Sequence, residues 1–106
     1  MCSLINLGYR IINMIRRSKM NIKEEAKNLE GWTLEDERII KKFKFDTFVA
    51  GIEFVNKLAE YAEEVQHHPG IRINYSTITV IWTTFSTHEL KEKDIEGAKA
   101  TDKLYG

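Results

Sequence analysis

The chain has 106 residues, of which 42% are hydrophobic and 30% charged, and its formal net charge is zero. That length supports one hydrophobic core, and the composition is that of an ordinary globular domain, not a disordered, collagen-like or membrane-spanning chain. Charge is unevenly spread: residues 1–19 carry +4 (Arg10, Arg16, Arg17, Lys19) and the rest, with 12 basic and 16 acidic residues, carries −4.

A mildly acidic body argues against a large nucleic-acid surface. Cys2 is the only cysteine, so no internal disulfide forms and a reducing, cytoplasmic setting is expected. Apolar runs are short and broken by charge, so no membrane partner is expected. Within residues 1–19, Leu4, Ile5, Leu7, Ile11, Ile12 and Ile15 mix with arginines, as in an amphipathic or targeting segment. The favoured reading starts the domain at Met20 and treats residues 1–19 as an N-terminal extension, leaving 20–106 as the folded unit.

Lys23 to Leu29 reads as a short helix closed by Gly31. Trp32 and Leu34 begin a strand, Glu35-Asp36-Glu37 turns the chain, and Arg38 to Phe45 returns. In the return strand Ile39, Phe43 and Phe45 share one face and Lys42 and Lys44 point the other way. Asp46 or Thr47 can cap the next helix, which runs from about Phe48 to about His67. Phe48, Ile52, Val55, Ala59 and Ala62 form one apolar stripe, and Phe54, Leu58, Tyr61 and Val65 form a second, displaced by about 100°. A small sheet covers only one of them, so the helix is expected to meet a second partner, either the terminal helix or another subunit. Pro69, the single proline, should stop this helix near His67 or His68.

A second hairpin follows. Ile71, Ile73 and Tyr75 alternate with polar residues, and Thr77 to Phe85 is rich in β-branched and aromatic side chains. Ile78, Val80 and Trp82 should face the helices; Thr77, Thr79, Ile81, Thr83 and Phe85 should lie opposite. A last helix spans roughly Glu92 to Leu104 and packs through Ile95, Ala98 and Leu104. Ser86 with Glu89 resembles a capping box, which would start this helix earlier. The order α-β-β-α-β-β-α defines an α+β domain: a four-stranded antiparallel sheet with helices packed on one face.

The chemistry concentrates in Glu63-Glu-Val-Gln-His67-His68-Pro69. Two of the three histidines are adjacent and leave a terminating helix, a suitable place for proton transfer near neutral pH. Adjacent helical positions diverge by about 100°, so the two rings should take different roles. Glu63, one turn before His67, is placed to hold that ring. A metal site is poorly supported, because the rings diverge and no second histidine lies four residues away. On local grounds alone Tyr75 and Trp82 read as sheet and core residues, Asp94 as a residue favouring the last helix's start, and Glu63 with Glu64 as a solvated face. No serine or cysteine is set as a nucleophile.

These residues resemble the pterin-4a-carbinolamine dehydratase family. The likeness begins at Leu29-x-Gly31-Trp32 and continues through Phe43-Lys-Phe45-Asp46-x-Phe48. The family's signature is matched by Glu63, His67, His68, Pro69, Tyr75 and Asp94 at the expected intervals. It departs at residue 85, where Phe85 stands in place of a third histidine, and His88 lies three residues later. The resemblance implies dehydration of 4a-hydroxytetrahydropterin by histidine acid–base catalysis, as in tetrahydrobiopterin recycling, with no metal or redox cofactor. It implies His67 as the principal acid–base residue, His68 as substrate positioner and His88 as a candidate replacement for the missing histidine. Glu63, Gln66, Pro69, Thr83, Thr84, Phe85, Ser86 and Asp94 would bind substrate, and Phe85 would stack on a flat ligand. The implied partners are the pterin and further copies of the chain, as a homodimer or homotetramer through the 48–67 helix and a sheet edge, without direct nucleic-acid contact. The alternative is a non-catalytic binding or dimerisation module on the same fold, since animal relatives also serve as dimerisation cofactors of a homeodomain transcription factor.

Overall fold

A computed structural model describes residues 19–106. Its elements are α1 (Lys19–Asn28), β1 (Thr33–Glu35), β2 (Arg38–Lys44), α2 (Phe48–Val65), β3 (Gly70–Asn74), β4 (Thr77–Trp82) and α3 (Glu92–Tyr105). The expected α+β order is therefore present. The expected boundary at Met20 involves residues outside those described.

The four strands form one antiparallel sheet in the order β1-β2-β4-β3. Helix α1 is already formed at Lys19, earlier in the chain than periodicity suggested. After it the chain turns through Gly31, whose φ of 85° suits glycine. A Cβ there would also come within 2.9 Å of the flexible end of the Lys41 side chain, which would have to shift. In β2 the alternation puts Ile39 and Phe43 into the core, both essentially inaccessible. Lys41 shares that face, and its ammonium leaves the apolar layer by pairing with Asp102 at 2.8 Å, consistent with a long stem covering hydrophobic surface.

Thr47, not Asp46, caps α2: its Oγ1 accepts the Ala50 N–H at 3.1 Å. Of the two apolar stripes, Phe54 and Leu58, joined by Gly51 and Ala62, are buried. Phe48 remains 47% exposed, and neighbouring Val49 62%. The helix ends two residues before the predicted stop. Gln66 adopts a left-handed conformation with φ 53°, and the His67 N–H closes onto Ala62 O at 3.1 Å, a Schellman-type termination. Pro69 thus restricts a chain that has already left the helix.

Ile78, Val80 and Trp82 face the helices with no exposed surface, as alternation required. Tyr75 is neither a sheet nor a core residue: it sits in the β3–β4 turn with φ 52° and is 72% exposed. The capping box expected at Ser86 and Glu89 does not form. Residues 84–89 instead make a turn closed by a bridge between Thr84 and Glu89, and His88 takes a positive φ of 55°, which an α-helix cannot accommodate. Leu90 is buried and its N–H donates to the Glu37 carboxylate at 3.0 Å, anchoring the turn before α3 begins. Among the described residues, no helix is long and apolar enough to cross a membrane.

Candidate active site

Three elements meet at the end of the sheet remote from Tyr75: the C-terminus of α2, the segment leaving β4, and the N-terminus of α3. Their junction holds a cleft of about 210 Å³ lined by Gln66, His67, His68, Thr84, Phe85 and Ser86. The left-handed Gln66 swings the chain out of helical register, so the two imidazoles no longer occupy consecutive positions on one helix. His67 turns inward and its side chain is 12% exposed, whereas the His68 side chain is 54% exposed.

Each ring is held by a different carboxylate. His67 Nε2–H donates to Asp94 Oδ1 at 2.6 Å. His68 Nε2–H donates to Glu63 Oε2 at 2.5 Å. Helical spacing predicts Glu63 against His67, one turn away; Glu63 instead pairs with His68, because the helix ends at Val65 and His67 lies beyond it. Both acceptors are carboxylates, so in the neutral ring the proton belongs on Nε2 and the lone pair on Nδ1. Among the described residues neither Nδ1 has a hydrogen-bond partner.

Asp94 has no exposed surface. Its Oδ2 accepts the Lys91 N–H at 2.8 Å and the Thr84 hydroxyl at 3.0 Å, and it lies in the first turn of α3, where the helix dipole favours negative charge. The dipole reading was therefore correct as far as it went. The side chain also joins α3 to Thr84 and His67, which no local pattern indicated.

The other predicted positions separate into two groups. Gln66, Thr84, Phe85 and Ser86 line the histidine cleft, while Glu63 acts through His68 from the surface. Pro69 is half-buried beside it without lining it. Thr83 is turned away, donating to Glu37 O at 2.6 Å. With His88 it lines an adjoining recess of about 370 Å³ formed with Asp36, Glu37, Arg38 and Phe85. Phe85, 52% exposed, borders both spaces. His88 thus lines this recess and is not among the residues lining the histidine cleft, while Phe85 is common to both. Among the described residues, no three His, Cys, Asp or Glu side chains come together as a metal-binding group.

Trp82 is the participant that sequence reasoning passed over. The His67 imidazole stacks on its indole, with centroids 5.6 Å apart and an interplanar angle of 19°. Only its place as the last inward residue of β4, next to the loop carrying Thr84, could have signalled this.

The elements define a small α+β protein with two carboxylate-held imidazoles at one cleft, and comparison with known proteins identifies its family. The model of the pterin 4 alpha carbinolamine dehydratase family matches residues 16–104. The chain belongs to that family. A Nostoc punctiforme relative is 38% identical over 87 residues, covering 82% of this chain and 94% of the relative. One from Sulfolobus acidocaldarius is 36% identical, covering 78% and 91% respectively. Both are named, provisionally, as pterin-4-alpha-carbinolamine dehydratases. The crystal structure of a transcriptional coactivator/pterin dehydratase from Brucella melitensis superposes with a TM-score of 0.76 at 31% identity, covering 86% of this chain and 99% of that one. A pterin dehydratase-like protein described as a RuBisCO assembly factor in the alpha-carboxysome gives 0.59 at 21% identity, over 71% and 87% of the two chains, a likeness of fold alone.

Proposed function

We propose that this chain dehydrates a 4a-hydroxytetrahydropterin to the quinonoid dihydropterin. Elimination breaks the C4a–O bond, with one proton delivered to the departing hydroxyl, and removes the N5 proton to form the C4a=N5 double bond. One imidazolium and one neutral imidazole satisfy both transfers, and the pair resets by exchanging protons with solvent. His67 is the principal acid–base residue and works through Nδ1, because Nε2 is committed to Asp94. The more exposed His68, held by Glu63, positions the substrate and supplies the second transfer. Phe85 offers a flat face against which the bicyclic ring stacks.

The observation that carries this reading is the pairing of His67 with the buried Asp94 at a cleft that also holds His68. It is supported by membership of the dehydratase family. The test is to generate the carbinolamine in situ and follow water loss. The full chain should accelerate it, and His67→Ala should reduce the catalysed rate by about a hundredfold or more while remaining folded. A folded wild-type chain giving no acceleration refutes the proposal and favours the second reading, a binding module without catalysis. Phe85 at the third-histidine position is the observation in favour of that alternative.

We also infer self-association. Phe48 and Val49 on α2 are exposed, and β3 is an edge strand without a second neighbour among the described residues, surfaces suited to a second copy. Light scattering should give a mass of two or four chains; a monomer at micromolar concentration refutes it. The lone cysteine suits a reducing compartment, and we assign the protein to the cytoplasm.

A further inference from the structure

His67 is held by two groups from outside its own segment. The hydrogen bond to Asp94 fixes one ring atom but leaves the imidazole free to tilt about that bond. The stack on Trp82 removes this freedom, since a plane 19° away constrains the tilt of the whole ring.

Trp82 is itself fixed from α3. Its Nε1–H donates to Thr101 Oγ1 at 3.0 Å, and that hydroxyl donates to Gly97 O at 2.6 Å. Gly97 lies directly against the indole: a Cβ there would come within 2.6 Å of Cδ2 and Cε2 and within 2.8 Å of Cε3. Those atoms belong to a rigid ring in a packed core, so the overlap could not be relieved by a flexible side-chain tip. Trp82 and Thr101 are both fully buried. The indole is therefore held from one face of α3, and Tyr61 of α2 packs edge-on against it at 6.2 Å between centroids. His68 has no such support: among the described residues no ring stacks on it.

We propose that Trp82, locked by Gly97 and Thr101, is the positioning residue for His67. It holds the imidazole plane so that Nε2–H stays on Asp94 and Nδ1 is presented to the cleft. The catalytic consequence rests on the dehydratase reading; the ring's placement rests on geometry alone, and the two are measured separately.

Nuclear magnetic resonance of the full chain tests the placement. The His67 ring protons should lie upfield of those of His68 and His88, shifted by the indole ring current, with the neutral ring protonated on Nε2. Trp82→Leu should abolish the shift and mix the tautomers. Trp82→Phe, which keeps an aromatic plane, should retain most of both signatures. Thr101→Val, nearly isosteric, should move the same signals in the direction of Trp82→Leu but less far. In the dehydration assay Trp82→Leu should lower kcat about tenfold or more with KM changed less than about twofold, because the buried indole cannot touch substrate. Trp82→Phe should stay within about threefold of wild type in kcat.

Wild-type His67 signals in Trp82→Leu overturn the proposal, as does unchanged kcat in that variant. If Trp82→Leu does not fold, unchanged His67 signals in Thr101→Val overturn it equally. A wild-type chain without dehydratase activity removes the catalytic reading, and the ring-current and tautomer measurements then decide the positioning by themselves.

Discussion

Asp94→Asn is the substitution that examines the site most directly. The native carboxylate, fully buried, accepts from His67 Nε2, Lys91 N and Thr84 Oγ1. An asparagine fills the same volume but has one acceptor oxygen and a donor amide. With the oxygen kept on Lys91 and Thr84, the amide faces His67 Nε2, which must give up its proton and become the acceptor. The neutral ring then carries its proton on Nδ1, and the nitrogen facing the cleft can no longer act as a base. Exchanging a charge-assisted bond for a neutral one costs about 1–1.5 kcal/mol. Losing a charge in the first turn of α3 adds about 0.5 kcal/mol. The sum is about 2 kcal/mol, against a total stability of roughly 5–10 kcal/mol for a domain of this size. With a urea m-value near 1 kcal/mol per M, the unfolding midpoint should fall by about 2 M. Asp94→Ala, which strands the Lys91 N–H and the Thr84 hydroxyl, should cost more, about 3–5 kcal/mol. Dehydration by a folded Asp94→Asn variant should drop by about a hundredfold or more. A double-mutant cycle with His67→Ala should show a coupling of about 1 kcal/mol or more. An unchanged midpoint with strictly additive effects would refute the claim that these two side chains act as a unit.

Three further outcomes follow from the same geometry. His88 occupies the left-handed region with its backbone at φ 55°, so His88→Gly should raise stability by about 0.5–1 kcal/mol in urea unfolding; a loss would show that the ring makes a stabilising contact. Phe85→His places an imidazole at the mouth of the cleft and should raise the dehydration rate about tenfold; a fall would mean that the aromatic face matters more than a third proton carrier. Burial, reinforced by the nearby Glu96 and Glu64, raises the Tyr61 hydroxyl above its ordinary value. Its unfolded form therefore loses the proton first, the unfolded chain binds fewer protons, and stability should decline as pH rises above about 10. Tyr61→Phe should flatten that decline in pH-dependent thermal melts.

Secondary structure was legible because its determinants are local. The inward faces of β2 and β4, the apolar positions of α2 and a cap at Asp46 or Thr47 follow from alternation, periodicity and side-chain chemistry within a few residues. So does the emergence of His67 and His68 at a helix end. The chain alone could not show which carboxylate holds which imidazole. Spacing assigned Glu63 to His67 on the assumption of a continuous helix; the left-handed Gln66 broke that register, passed Glu63 to His68 and sent His67 to Asp94, 27 residues away. Trp82 beneath His67, and Phe85 bordering both the histidine cleft and the recess lined by His88, depend on how β4 and the turn after it seat against two helices. Such contacts arise from packing between elements distant in sequence, and only the tertiary structure decided them.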